Sequence, residues 1–214
     1  MPIWSYIIVA IAAYLLGSIP TGFLVAKAKG IDIRKTGSGN IGATNAMRVL
    51  GKPAGIFVLL VDAAKGYTAV CCCNVFLMVA HESHFVVAGI FAVLGHNYTC
   101  WLKFKGGKGI ATTAGVYLAL APAALGIAFV IFILAILLTR YVSVASISAA
   151  IALPAAVWIL QPHNLFLGIV TAALGVLAIY KHKSNIQRLM AGTENRLGKK
   201  ADRTANEKEP EGTK

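Results

Sequence analysis

The stretch IATTAGVYLALAPAALGIAFVIFILAILLTR, residues 110–140, decides how the rest of the chain is arranged. It is long enough for one membrane helix, since about 20 apolar residues cross a bilayer. Pro122 lies inside it, however, and proline removes a helix N–H donor and kinks or ends a helix. We therefore divide the stretch into a short fourth element that precedes the proline and a fifth span over residues 123–138.

The flanking sequence supports this division through the distribution of its positive charges. The remaining apolar runs predict spans at about residues 3–26, 54–80, 85–102, 142–160 and 165–180. With seven elements and the N-terminus outside, every Lys and Arg falls on the cytoplasmic side, as the positive-inside rule requires. A single span over residues 110–138 would instead put Arg140 and the basic C-terminal segment outside.

The sequence thus predicts an all-α integral membrane protein. We expect a compact bundle of seven transmembrane helices with the N-terminus outside and the C-terminus cytoplasmic. The fourth helix is short for a full crossing, so we expect it to be tilted or partly re-entrant.

The composition agrees with a membrane protein. Of the 214 residues, 57% are hydrophobic and only 13% are charged, whereas a soluble domain has roughly 25% charged residues. The net charge of +12 is explained by basic cytoplasmic loops, and we predict no nucleic-acid partner. Residues 1–200 are predicted to form the membrane domain, and residues 201–214 have the composition of a disordered cytoplasmic tail.

The number and spacing of the cysteines and acidic residues argue against disulfides and metal sites. Three cysteines are consecutive, at 71–73, and Cys100 stands alone, so we predict buried free thiols rather than a zinc site or disulfides. Scarce carboxylates argue against a metal site, and no cofactor is predicted. Asp62 is the only acid within a span, and Lys65 shares its helix face. An ion pair that positions this helix is favoured over direct catalysis.

Three polar segments share the predicted cytoplasmic face and combine small or amide residues with cations. They are GSGNIGATNAMR (37–48), GHNYTCWLKFKGGKGIAT (95–112) and HKSNIQRL (182–189). Glycine lets backbone N–H groups approach an anion, and hydroxyl, amide and cationic side chains complete a phosphate site. KGGKG lacks the Ser or Thr of a nucleotide-binding P-loop. Alone, it could equally be a flexible turn against anionic lipid headgroups.

These segments resemble the bacterial acyl-phosphate-dependent glycerol-3-phosphate acyltransferase family over about residues 1–200. The resemblance rests on five motifs. They are G-S-x-P-x-G (17–22), S-G-N-x-G-A-T-N-x-x-R (38–48), D-x-x-K-G (62–66), G-H-x(8)-F-K-G-G-K-G-x-A-T (95–112) and H-x-x-N-I-x-R-L (182–189). Family members often have Pro where this chain has Thr99, which affects the expected shape of the local turn.

The resemblance implies transfer of a fatty acyl group from acyl phosphate to the 1-hydroxyl of glycerol 3-phosphate. The product would be 1-acyl-glycerol 3-phosphate, in a bacterial inner membrane with the site facing the cytoplasm. An enzyme that produces acyl phosphate is an expected partner, beside the lipid bilayer. The expected catalytic residues are Lys105, Lys108, Ser143 and His182. The expected substrate-binding residues are Ser38, Gly39, Asn40, Asn45, Arg48, His96, Gly106, Gly107, Gly109, Thr112 and Asn185.

Several roles stay open at this level. His96 and His182 could each act as a general base or donate a hydrogen bond to a substrate phosphate. Alternatively, each is a hydrogen-bonded residue at the membrane interface. Ser143 either binds substrate or caps the sixth span. No His in the chain has an Asp four or five residues after it, as the other glycerolipid acyltransferase superfamily has, so we expect a phosphate oxygen to take the proton while His182 orients the substrate. The alternative functions are a transporter of an anionic metabolite and a lipid-binding subunit without chemistry.

Overall fold

The computed structural model describes residues 2–77 and 81–197, with only the backbone described at 74–77. The predicted disordered tail, 201–214, lies outside the described residues. Ten α-helices are found in the described parts, and short 3₁₀ turns at Ile33–Lys35 and Cys100–Leu102 connect some of them. The helices are α1 (Ile3–Ser18), α2 (Thr21–Ala28), α3 (Ala43–Leu50), α4 (Lys52–Leu77), α5 (Glu82–Asn97), α6 (Ile110–Leu120), α7 (Pro122–Thr139), α8 (Val142–Leu160), α9 (Leu165–Lys181) and α10 (Lys183–Met190).

Five stretches in the described parts of the chain are long and apolar enough to cross a membrane. A sixth is obtained if α9 and α10, which are bent by 53° at their junction, count as one span, and α6 is a shorter apolar helix. The five stretches are Ile3–Ala28, Lys52–Cys73, Glu82–Leu102, Pro122–Thr139 and Val142–Leu160. The protein is therefore helical and membrane-embedded.

The division at Pro122 is confirmed. The α6 helix ends at Leu120, Ala121 has an extended φ of −152°, and Pro122 is the first residue of α7. Proline suits this position because the first helical residue has no intrahelical partner for its N–H group. The α6 helix has only 11 residues, in line with the predicted short element.

Two helices were not predicted from the sequence. The segments 27–53 and 181–197 were expected to be polar connections, yet they contain α3 and α10. Both helices are short and amphipathic, with a polar face and a few apolar side chains, so a search for long apolar runs passes over them. The first span is also divided, because α1 ends before Pro20 and α2 begins at Thr21.

Helices that carry the site pack backbone against backbone through glycines. A methyl group on Gly17 of α1 would overlap the carbonyl of Ala92 in α5, and one on Gly115 of α6 would overlap the carbonyl of Ala63 in α4. Small residues that permit such close approach are typical of helix packing in membranes. The helices α1, α4, α5 and α6 therefore form a tightly packed unit, and its ends hold the polar residues described next.

The predicted packing of a cysteine as a small apolar residue is confirmed for Cys73, which is buried and whose thiol donates to the carbonyl of Ala69. The other three cysteines are half-buried and free. The α7 helix differs from the packed unit, since only 11% of its span is buried within the protein. An apolar helix that is so exposed faces lipid.

Candidate active site

One cleft of about 810 Å³ collects residues from all three polar segments. It lies among α3, the start of α6, the start of α8, α10 and the segment that follows α10. The sequence-predicted residues that line it are Ser38, Asn40, Asn45, Arg48, His96, Lys108, Gly109, Ser143, His182 and Asn185. The expected convergence of the three segments is therefore found, although the segments are far apart in the chain.

Asn45 shapes the first polar segment. Its side-chain oxygen accepts from the backbone N–H of Ser38 at 2.9 Å, and its amide nitrogen donates to the carbonyls of Thr36 and Asn40 at 3.0 and 2.9 Å. The amide is thus committed to the loop that precedes α3. Asn45 lines the cleft as predicted, but these contacts make it a residue that holds Ser38 and Asn40 in place rather than a donor to substrate.

The glycine-rich loop rests on the end of α5. The N–H of Gly106 donates to the carbonyl of Asn97 at 3.2 Å, and that of Gly107 donates to the carbonyl of His96 at 3.0 Å. A methyl group on Gly107 would overlap the His96 ring, so only glycine fits there. Gly109 has φ +83° and redirects the chain into α6. The loop is therefore fixed by helix α5, and its backbone conformation decides where its lysines lie.

The two lysines of KGGKG have different surroundings. Lys108 lines the cleft, and its Nζ donates a hydrogen bond to Oδ1 of Asn185. Burial and the nearby Arg188 lower the pKa of Lys108 to about 8. Lys105 is exposed and lines neither this cleft nor a second, adjoining cavity of about 340 Å³. Lys105 therefore does not lie with the other predicted catalytic residues, Lys108, Ser143 and His182. The turn at Gly106 and Gly107 separates Lys105 from Lys108.

Gly107 and Thr112 also lie outside the cleft lining. Thr112 is completely buried, and a methyl group on Gly66 of α4 would overlap the Thr112 carbonyl. Its position joins α4 to α6, which differs from the predicted contact with substrate. Gly39 and Gly106 line the second cavity instead of the cleft.

Beneath the loop lies a cluster that we call the buried triad, Asp62, Lys65 and His96. Nζ of Lys65 is 2.8 Å from Oδ1 of Asp62 and also donates to the carbonyl of Ile19 at 2.9 Å. Thr21 donates to the same carboxylate oxygen at 3.0 Å, and Nδ1 of His96 lies 3.7 Å from it. The predicted positioning ion pair is thus present, and it links α4 to the α1–α2 junction and to the residue that carries the glycine loop.

A second cluster, the Glu194 cluster, consists of Glu194, Ser143, Asn185 and Arg188. Ser143 and Asn185 donate to Oε1 of Glu194 at 2.9 and 2.7 Å, and Nε of Arg188 donates to Oε2 at 2.7 Å. Burial alone would raise the pKa of Glu194, but the hydrogen bonds from Asn185, Arg188 and Ser143 outweigh it and hold the pKa below its usual value. Three donors on α8 and α10 therefore converge on one anion.

The position of Ser143 excludes one of the two roles considered for it, the capping of helix α8. The α8 helix begins at Val142, its N-cap residue is Tyr141, and no side chain caps it. Ser143 therefore lines the cleft and does not cap the helix, and its contact with substrate stays a prediction. Sequence analysis did not single out Glu194. The sequence offered little signal for it, because Glu194 lies five residues beyond the end of the polar segment 182–189.

His182 lies at the end of α9 and lines the cleft. Its Nδ1 lies 2.7 Å from the carbonyl of Ala178, so Nδ1 must carry the proton that is donated to this oxygen. In a neutral ring, Nε2 is then the acceptor nitrogen. A buried imidazole with a fixed tautomer is suited to hold a substrate hydroxyl in a defined direction.

Comparisons with known proteins identify the family to which the chain belongs. The model of the glycerol-3-phosphate acyltransferase family matches residues 7–192. A glycerol-3-phosphate acyltransferase of Geobacter metallireducens is 51% identical, with 89% of this chain and 97% of the relative covered. One of Geotalea daltonii is 46% identical, with 89% and 97% covered.

A solved structure is similar over the same extent. The crystal structure of PlsY (YgiH), an integral membrane glycerol 3-phosphate acyltransferase, in its glycerol 3-phosphate form, superposes with a TM-score of 0.84. It is 39% identical in sequence and covers 91% of this chain and 96% of its own. The family match, the close relatives and the shared fold extend over nearly the whole membrane-embedded part, and the chain belongs to the glycerol-3-phosphate acyltransferase family.

Proposed function

We propose that this protein transfers a fatty acyl group from acyl phosphate to the 1-hydroxyl of sn-glycerol 3-phosphate. The products are 1-acyl-glycerol 3-phosphate and phosphate, and the reaction is the first acylation of phospholipid synthesis. The observation that carries the proposal is the cleft in which Arg48, Lys108 and Arg188 meet the neutral donors Ser143 and Asn185. PlsY has been crystallised in a glycerol 3-phosphate form and a lysophosphatidic acid form, which supports this substrate and product.

Acyl phosphate is a mixed anhydride, so the acceptor hydroxyl can attack it without a covalent enzyme intermediate. The protein then has to hold two anionic substrates with the hydroxyl close to the acyl carbon, and such positioning contributes several kcal/mol, up to roughly 7–11. Lys108 is placed to stabilise negative charge that develops on the acyl oxygen. Lys105, which is exposed, is left out of this assignment.

We assign the acceptor proton to a phosphate oxygen of the substrates and an orienting role to His182. Nε2 of His182 is the acceptor nitrogen of a neutral ring and can receive a hydrogen bond from a glycerol hydroxyl. A His182→Gln variant with near-normal turnover would remove His182 from this role. A variant that binds glycerol 3-phosphate normally but has lost most of its turnover would support it.

The decisive experiment uses radiolabelled glycerol 3-phosphate and the purified chain in detergent. Synthetic acyl phosphate and acyl-CoA are supplied in parallel, and labelled lysophosphatidic acid is the readout. We expect product with acyl phosphate only, and at least about 100-fold slower product formation from Lys108→Gln. Product with acyl-CoA alone would contradict the proposed donor. Uptake of label into sealed liposomes without any product would be the result expected of a transporter.

For the membrane arrangement we propose seven crossings with the N-terminus outside and the site facing the cytoplasm of a bacterial inner membrane. Under this arrangement the outer turns carry no Lys or Arg in the sequence, which is the bias that orients membrane proteins. Single cysteines at Ser38, Lys108 and Asn185, in a chain freed of its own cysteines, should all react with a reagent added from the cytoplasmic side. Labelling from opposite sides would contradict the arrangement.

We also propose that an enzyme that produces acyl phosphate is the functional partner of this protein. Because acyl phosphate is an activated, hydrolysable lipid, a nearby source shortens its path through the bilayer.

Residues 1–200 are proposed to suffice for catalysis. A chain ended at residue 200 should keep full activity in the radiolabel assay. Loss of activity in that shortened chain would extend the catalytic unit into the tail.

A further inference from the structure

The turn between α5 and α6, residues 98–109, carries Lys108 into the cleft, and Thr99 lies at its start. Thr99 is the N-cap residue of the 3₁₀ turn Cys100–Leu102 and is only 1% exposed. Its φ of −62° is the value that a proline ring would impose. Members of the family often have Pro at this position. Threonine therefore keeps the same backbone φ and adds a hydroxyl that proline lacks.

The hydroxyl of Thr99 joins the turn to the last residue of α1. Its Oγ1 donates to the carbonyl of Ser18 at 2.6 Å, and both residues are buried. This carbonyl is one of the last four of α1, which have no partner within their own helix. Leaving such a group buried without a donor is unfavourable. The Thr99 hydroxyl therefore satisfies a buried acceptor and connects two helices at the same time.

The carbonyl of Thr99 holds the next part of the turn. It accepts from the backbone N–H of Leu102 at 3.3 Å and from that of Phe104 at 3.0 Å. Lys103 and Phe104 have φ of 53° and 60°, in the left-handed region that residues with a side chain rarely adopt. Two such residues in succession persist only where surrounding contacts fix them. The hydrogen bonds to Thr99 are contacts of this kind.

The junction between α1 and α2, to which Thr99 is joined, is itself held by the buried triad. The carbonyl of Ile19 accepts from Nζ of Lys65 at 2.9 Å, and Thr21 donates to the carboxylate of Asp62 at 3.0 Å. The junction is therefore a fixed point in the membrane-embedded part of the protein. Thr99 connects this fixed point to the turn that leads to the cleft.

We infer that Thr99 is a positioning residue for Lys108. Thr99 lines neither the cleft nor the adjoining cavity, so it acts through Lys108 and not on substrate. Without its hydroxyl the first half of the turn loses its connection to α1. The hydrogen bonds of Gly106 and Gly107 to α5 remain, so Lys108 is displaced within the cleft rather than lost from it. The inference rests on the proposed function, in which Lys108 stabilises charge on the acyl oxygen.

Thr99→Val tests the inference, because valine keeps the shape of threonine and removes the hydroxyl. We expect kcat with acyl phosphate to fall about tenfold, which is the order of one net hydrogen bond, while KM for glycerol 3-phosphate stays within about twofold. A fall confined to kcat is expected when a group that acts in the transition state is misplaced. Thr99→Ser keeps a hydroxyl, and both constants should stay within about twofold of those of the wild type.

Thr171→Val is the matched control. Thr171 is also 1% exposed, and its Oγ1 donates to the carbonyl of Leu167 and accepts from Tyr117, each at 2.6 Å. It lines neither cavity. We expect this variant to lower the unfolding temperature as much as Thr99→Val does, with kcat unchanged. Equal falls of kcat in the two valine variants, or a normal kcat in Thr99→Val, would overturn the inference.

Should Thr99→Val give no folded protein, Thr99→Cys takes its place, because a thiol is only a weak donor. The expected fall in kcat is then smaller than tenfold but still absent from Thr99→Ser and from Thr171→Val. A Thr99→Cys variant with the kcat of the wild type would also overturn the inference.

A measurement that does not depend on acyl transfer separates this inference from the proposed function. Lys108 of the full chain in detergent is labelled with an amine reagent over a series of pH values, and mass spectrometry gives the labelling rate. In the wild type the midpoint should lie near the pKa of Lys108, about 8, which burial lowers. The charged groups near Lys108, which these variants leave unchanged, are Arg48, Lys181, Arg188 and Glu194.

Displacement of Lys108 in Thr99→Val should move this midpoint to a higher pH, because a less buried ammonium keeps its proton longer. Thr99→Ser and Thr171→Val should keep the midpoint of the wild type. An unmoved midpoint in Thr99→Val overturns the inference. A midpoint that moves as expected, in a protein whose wild type transfers no acyl group from acyl phosphate, would instead refute the proposed function and leave the positioning of Lys108 by Thr99 in place.

Discussion

The buried triad and the Glu194 cluster both hold the cleft together, but they are built differently. The members of the triad lie on two helices that span the membrane, and Asp62, Lys65 and His96 are 2, 5 and 5% exposed. The Glu194 cluster joins α8 and α10 to a carboxylate in the segment after the last helix. There, the side chain of Glu194 is 7% exposed and that of Arg188 is 30% exposed.

Because of this difference in location and burial, the two clusters position the residues of the cleft in different ways. The triad is fixed by helix packing and supports the glycine loop through His96, although Asp62 and His96 also line the floor of the cleft. The Glu194 cluster uses Ser143 and Asn185, which also line the cleft, and its carboxylate takes hydrogen bonds of the kind that a substrate phosphate would take. The triad is therefore expected to govern stability most, and the second cluster to affect both stability and substrate binding.

Breaking the buried triad should have the largest effect, which is a loss of folding stability. Asp62→Ala leaves Lys65 as an unpaired buried cation, and loss of one partner of a buried ion pair costs about 3–5 kcal/mol. We expect a large fall in the thermal unfolding temperature in detergent and little recoverable protein.

A double variant provides the control for that change. Asp62→Leu combined with Lys65→Met replaces both charges by apolar groups and should recover most of the stability, because no buried charge is left unpaired. If Asp62→Ala unfolds at the wild-type temperature, the triad does not stabilise the fold as argued.

The next effect concerns the lysine that lies between the two clusters. Lys108→Gln should lower kcat/KM about 100- to 1,000-fold, the range observed when a donor to a developing charge is removed, without changing the unfolding temperature. Lys105→Gln is the matched control from the same loop, and an exposed charge should change kcat/KM by no more than about fivefold. Equal losses in the two variants would show that the position of Lys108 is not what matters.

Weakening the Glu194 cluster should have a smaller effect on stability than breaking the triad. Glu194→Gln keeps the shape of the side chain but removes the charge that accepts three hydrogen bonds, and we expect a loss of about 1.5–3 kcal/mol. Thermal unfolding of the purified protein measures it. Glu82→Gln is a suitable control, since Glu82 is exposed and, among the described residues, its carboxylate accepts a single hydrogen bond, from Asn164 at 3.3 Å. A larger loss for Glu194→Gln than for Asp62→Ala would reverse the comparison.

The smallest expected effect is a pH dependence from Lys108, whose pKa is about 8. Under the proposed mechanism only the charged form of Lys108 assists the reaction, and this form is lost as the pH rises through its pKa. The logarithm of kcat/KM should therefore be level below about pH 8 and fall with a slope approaching one above it. Lys108→Arg should lack this fall because a guanidinium stays charged. The same decline in that variant would assign it to another group.

The sequence was sufficient for the features that depend on long apolar runs and on proline. The break at Pro122 follows from the missing N–H donor, and the meeting of the three polar segments follows from placing Lys and Arg on one face. The helices α3 and α10 were missed because a short amphipathic helix gains its stability from neighbours that a local pattern does not reveal.

The choice between Lys105 and Lys108 also required the structure. Both belong to the same five-residue motif, and only the turn that rests on His96 and Asn97 sends one into the cleft and leaves the other exposed. Glu194 was missed for a related reason. A carboxylate in a polar segment is usually solvated, and only the folded chain shows that Ser143, Asn185 and Arg188 surround this one.

The shortness of α6 determines how deep the chemistry occurs. Eleven residues at about 1.5 Å each measure roughly 16 Å, whereas the hydrocarbon layer is about 30 Å thick. With Leu120 at the outer surface, as the proposed arrangement has it, Lys108 and the glycines beside it reach well below the inner headgroups. A donor lipid then reacts without leaving the bilayer, which avoids about 0.8 kcal/mol for each methylene that would otherwise be drawn into water. Under the proposed arrangement, it is the water-soluble glycerol 3-phosphate that has to move from the cytoplasm to below the headgroups to reach Lys108.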